Sequence, residues 1–211
     1  MPVEIPEDFL ERVQRSLQDA WEDHDGTDYT DADWGAVYKE ALARPCIEVG
    51  LAVACTLSRV QGGGAYQPEV TKYLRDPQRM HSPEQALDFV AVDATSLAPI
   101  LGAEIEWSAN QITTHVQGDA KVLQEVWGET PLPDKGHVIA ILYDLGRLLM
   151  VNPPYMVLEV YPRLDDIGIV KRAVESMYRR ADAFRPMGTL LLSISRGPEF
   201  VTFTGKRSTI P

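Results

Sequence analysis

Three residues combine side-chain type and spacing in a way that suits nucleophilic chemistry. Cys46 opens the stretch CIEVGLAVACTLSRV, which is apolar almost all round and predicts a buried helix. A thiol in the first turn of a helix sits in partial positive charge, which favours the thiolate. His137 opens the run HVIAILY, and Asn152 closes the run RLLMV fifteen residues later. Read as strands joined at Asp144-Leu145-Gly146, these runs predict a hairpin whose open ends hold His137 opposite Asn152. An imidazole beside a thiolate can protonate a leaving amine, and a neighbouring amide can orient the ring.

Other elements must position these residues. A helix is predicted over 6–22, with Phe9, Leu10, Val13, Leu17 and Trp21 at helical spacing, followed by a polar linker to residue 33. A short helix is expected over 34–43, with Arg44-Pro45 breaking it. Gly62-Gly63-Gly64 ends the Cys46 helix, and short helices are expected over 68–102. A strand is expected over 103–107, a helix over 120–127, a third strand over 156–161, a helix over 166–184, and two closing strands over 189–195 and 200–204. The expected fold class is α+β: N-terminal helices, including the buried Cys46 helix, packed on a C-terminal antiparallel sheet with one inserted helix.

The chain of 211 residues carries a net charge of −11. Residues 1–33 hold eleven acids against Arg12 and Arg15, a net of −9, and the remainder is near neutral. The expected division is therefore an acidic helix and linker over 1–33 and one domain over 34–211. No basic face is evident, so nucleic acid is not an expected partner. The acidic segment could meet a basic protein surface, although a solvated face is the simpler reading. No apolar run has the ~20 residues of a membrane span, and the first residues lack a secretory pattern. The expected setting is cytoplasmic, or delivery without a classical signal peptide.

The order Cys46-Ile47-Glu48, then Gly136-His137-Val138-Ile139-Ala140-Ile141, then Val151-Asn152-Pro153-Pro154, resembles the papain-like cysteine peptidase superfamily. The nearest pattern is that of YopT-like effector proteases, and bacteriocin-processing peptidases show a similar Gly-His-Val strand. The resemblance spans about residues 40–204 and implies a cysteine-dependent hydrolase acting on a peptide or protein amide. It implies Cys46 as nucleophile, His137 as general acid/base and Asn152 as orienter, without cofactor or metal. Residues 36–45 depart from the family by offering no Gln or Asn as an oxyanion donor. The alternative expectation is accordingly a catalytically inactive scaffold serving as a structural or interaction protein.

The remaining polar residues read more plainly. Cys55 is expected in the core, His24 in solvent, and His81 and His115 in polar loops. Glu104 and Glu106 alternate with apolar neighbours, as a half-exposed strand would. The triple glycine lacks the Lys-Ser/Thr of a phosphate loop, and no cluster has metal-ligand spacing.

Overall fold

A computed structural model describes residues 3–24, 31–55, 87–106, 136–195 and 199–207. The elements in chain order are α1 (Phe9–His24), α2 (Asp31–Glu48), β1 (Ala52–Cys55), β2 (Phe89–Val92) and β3 (Pro99–Glu106). Then come α3 (Gly136–Val151), β4 (Tyr155–Val160), a 3-10 turn (Leu164–Asp166), α4 (Ile167–Phe184), β5 (Thr189–Ile194) and β6 (Glu199–Phe203). The helices expected over 6–22 and 166–184, the strands expected around 103–107 and 156–161, the two closing strands and the α+β class all appear. The short helices expected over 68–102 are corrected where the chain is described: the short apolar runs at 89–92 and 99–102 pair as β2 and the start of β3. The separate helix expected from Cys46 is also absent, since Cys46 lies near the end of α2 and β1 follows. The triple glycine, His81, His115 and the 120–127 helix lie outside the described residues.

The six strands form one sheet in sequence order. It is mixed, which corrects the expected antiparallel sheet. β1–β2, β2–β3 and β5–β6 pair antiparallel, while β3–β4 and β4–β5 pair parallel. Parallel neighbours need a crossover, and α3 and α4 lie in the two crossovers. Successive residues of a strand face opposite ways, so both faces of β4 are buried against different layers. Met156, Leu158 and Val160 pack with α3 and α4, while Val157 packs with α1 and α2. The expected boundary at 33/34 falls inside α2. α1 is part of the core, with Phe9, Val13 and Leu17 buried against α2 and the sheet.

HVIAILYDLGRLLMV is one helix, not a hairpin. Its buried residues Val138, Ile141, Leu142, Leu145, Leu148 and Leu149 recur at three- and four-residue intervals. Asp144 and Gly146, read as turn residues, lie inside it. Asp144 pairs with Arg147 one turn on, and Gly146 faces Met177 of α4.

The Arg44-Pro45 break is also absent, because α2 runs through Pro45. Proline lacks the N–H that would bond the carbonyl four residues back. Here that carbonyl belongs to Ala41, and the buried Ser16 hydroxyl of α1 donates to it at 2.8 Å. α2 ends instead at Gly50, where φ is +85°. Gly50 N–H bonds Ile47 O at 2.9 Å and Leu51 N–H bonds Cys46 O at 2.9 Å, the paired bonds of a Schellman end. The apolar residues that follow are therefore free to form β1. No helix among the described residues is long and apolar enough to cross a membrane.

Candidate functional site

Cys46 lies in the last turn of α2 rather than the first turn of a helix. Its environment is the reverse of the expected one. The side chain is 0% exposed within the layer formed by α1, α2 and the sheet. Burial pushes its thiol well above the usual range, and a helix C-terminus disfavours a thiolate further.

His137 sits in the first turn of α3, on the opposite face of the sheet. Its Nε2 is 3.0 Å from Asp166 Oδ2, and this pair ties the start of α3 to the turn before α4. Asn152 follows α3 in the left-handed region, with φ of 49°. Its Nδ2 donates to Pro186 O at 3.1 Å and its Oδ1 accepts from Gly188 N–H at 3.0 Å. Asn152 thus clamps the end of α3 to the start of β5. Gly188 allows the approach, since a Cβ there would stand 2.2 Å from Pro153 O. The sheet therefore separates Cys46 from the layer of His137 and Asn152. Cys46 lies in the core of one layer, His137 beside Asp166 in the other, and Asn152 between α3 and β5.

A different group of residues converges on the α3 face of β3. Glu104 is 0% exposed, although the alternation of its strand suggested a half-exposed side chain. Helices cover both faces of β3, so alternation no longer marks a wet side. Phe89 pairs with Ala103, which places Asp88 opposite Glu104 one step further along. The two carboxyl groups interact directly. Like charges opposite each other on neighbouring strands are unfavourable.

Arg147 of α3 donates from Nη2 to Glu104 Oε2 at 3.0 Å and to Asp144 Oδ1. Asp88 Oδ2 accepts from Ile105 N–H at 3.1 Å, and its Oδ1 lies 3.6 Å from Lys39 Nζ. Glu106, two residues along the same face, adds repulsion to Asp144. Among the described residues, four carboxyl groups thus face two cations, Arg147 and Lys39. Burial first, then the neighbouring carboxylates, raise the Glu104 carboxyl well above its ordinary range, against the pull of Arg147. Burial raises Asp144 in the same way. Glu104 Oε1 is buried and receives no hydrogen bond.

The cluster has a buried floor and a partly open rim. The Asp88 side chain is 27% exposed and Glu106 is half-buried. Among the described residues no three His, Cys, Asp or Glu side chains are grouped so as to hold a metal ion by themselves. The sequence signal for the cluster was an Asp before one strand and acids two apart on the next. That signal carries meaning only once the register is known.

Compared with family models, curated proteins and solved structures, the chain matches none of them, so its function must be argued from the arrangement of its own residues.

Proposed function

We propose that the Asp88–Glu104 cluster takes a divalent cation and that the chain is a cation-dependent hydrolase of phosphate esters. The observation that carries this reading is the pair of opposed carboxyl groups, one of them fully buried with an oxygen that receives no hydrogen bond. A hard dication relieves this repulsion, and Mg²⁺ is commonly held by one or two carboxylates with water and substrate phosphate completing its shell. Two carboxylates are therefore enough. When bound, such an ion supplies Lewis-acid polarisation of a phosphoryl oxygen and makes a bound water more acidic.

The residues around the pair have distinct uses. Asp88, with one oxygen on Ile105 N–H, is a pre-oriented ligand on the rim. Glu106, the half-buried carboxyl of the group, would take a proton from an attacking water. Arg147 bonds both Glu104 and Asp144 in the free protein. Relieved of part of that duty, its planar guanidinium suits a phosphate. Phosphate monoesters and diesters are both substrates for the assay.

Titration calorimetry with Mg²⁺ and Mn²⁺ tests the site, and hydrolysis of p-nitrophenyl phosphate and bis-p-nitrophenyl phosphate tests the reaction. The expected result is cation binding that Glu104→Gln weakens by tenfold or more, at about 1.4 kcal/mol per decade. Turnover is expected to need the cation. Binding that is indifferent to Glu104→Gln would sink the proposal, as would cation-independent turnover. The cysteine-dependent hydrolase would instead require Cys46 to meet His137 across the sheet, and rapid alkylation of native Cys46 is the result that would favour it.

A further inference from the structure

We propose that the end of the molecule where α3 and α4 terminate is a docking face for an anionic lipid surface. Three segments are knitted together there. Arg185 Nη2 donates to Leu149 O and Met150 O, Arg207 Nη1 donates to Asn152 O, and Lys206 N–H bonds Asp182 Oδ1 at 2.7 Å. Three apolar side chains project from this knot: Phe184, 91% exposed, Met150, 60% exposed, and Val151, 39% exposed.

Among the described residues, the exposed charge of the adjoining α4 and C-terminal segments is mainly basic. Arg179, Arg180, Arg185, Lys206 and Arg207 are exposed at this end. Asp182, on α4 between them, is buried with its Oδ1 accepting backbone N–H groups of Met187 and Lys206. Glu175, one turn back along α4, pairs with Arg179 at 3.9 Å. The guanidiniums of Arg185 and Arg207 rest on neutral carbonyls, which fix their positions without cancelling their charge.

An anionic surface attracts these basic side chains. The apolar side chains stand at helix ends and project outward, which suits a deformable acyl boundary. Met150 and Val151 offer nothing to a phosphate backbone, so the mixture of side chains favours lipid over nucleic acid.

The test is co-sedimentation with vesicles of phosphatidylcholine and phosphatidylglycerol against vesicles of phosphatidylcholine alone. Binding is expected to the mixed vesicles and to weaken with salt. Lys206→Glu should weaken it about 25-fold, since it removes one basic charge and adds an acidic one, each worth about fivefold near such a surface. Phe184→Ser should also weaken it roughly tenfold through lost apolar transfer. Both positions are exposed, and circular dichroism with thermal melting checks that the variants fold. Failure to bind the mixed vesicles would overturn the proposal, as would equal binding to neutral vesicles or variants that bind unchanged. Fluorescence anisotropy with a single-stranded oligonucleotide adds a last arm. Tighter binding there than to vesicles, lost in Lys206→Glu, would assign the face to nucleic acid instead.

Discussion

Replacing Glu159 by Gln should make the protein more stable at neutral pH and remove part of its pH dependence. Glu159 lies on β4 facing α2 and is 0% exposed. The Ser195 hydroxyl donates to its Oε1 and stands 3.1 Å from the Tyr38 hydroxyl of α2. Ser193, its register partner on β5, also hydrogen-bonds the carboxyl. Its Oε2 has no hydrogen-bond partner. Burial outweighs the hydroxyl contacts and pushes the carboxyl up to about 8 from an ordinary 4.5.

The folded protein therefore keeps this proton at neutral pH while the unfolded chain releases it. Below the unfolded value both states are protonated and stability is full. As pH rises, the unfolded state loses its proton first, and stability falls until the folded carboxyl also ionises near 8. The cost of Glu159 is then about 3 kcal/mol at pH ~7 and under ~1 kcal/mol at pH ~5. Gln keeps the shape and the contact with Ser195 but cannot ionise. Urea unfolding of both proteins between these pH values should show curves that diverge by about 2 kcal/mol as pH rises. Curves that stay parallel would refute the reasoning, because they would mean that Glu159 titrates alike in both states.

Three further outcomes follow from the same structure. Ser16→Ala should cost about 1–3 kcal/mol by stranding the Ala41 carbonyl, and Pro45→Ala should recover part of that loss by restoring an N–H, so a double-mutant cycle by urea unfolding should be non-additive. Asn152→Ala should lower stability by about 2–3 kcal/mol, through two lost hydrogen bonds and a left-handed backbone. Asn152→Gly should lose less, since it keeps the backbone conformation, and thermal melts of the two variants rank them. Iodoacetamide should label Cys55 of the native protein before Cys46, with Cys46 labelling only as the protein unfolds, and peptide mass mapping reads the order.

The amphipathic helices were legible in the sequence because each has one apolar stripe. Phe9, Val13 and Leu17 mark α1 without help from the rest of the chain, and Val170, Val174 and Met177 mark α4. The closing strands were legible because their apolar runs are short and bounded by Gly and Pro. The segment around Cys46 was not. Pro45 is a reliable helix breaker only when nothing else satisfies the carbonyl it leaves, and Ser16 does so from 25 residues away. α3 was misread because a helix buried on much of its surface loses polar alternation, and its Asp-x-Gly triplet mimics a turn.

The sequence by itself determined the α+β class, the acidic N-terminal segment, the two amphipathic helices and the residues available for chemistry. Only the tertiary structure decided which of those residues meet. Cys46, His137 and Asn152 come in a suggestive order along the chain, but sheet faces alternate and crossover helices choose a side, so order does not become proximity. Asp88 and Glu104 look unremarkable in the sequence. Antiparallel pairing of β2 with β3 sets them face to face, and α3 closes over them with Arg147. Strand register and the burial it imposes turn two ordinary carboxylates into an opposed pair, one of them fully buried.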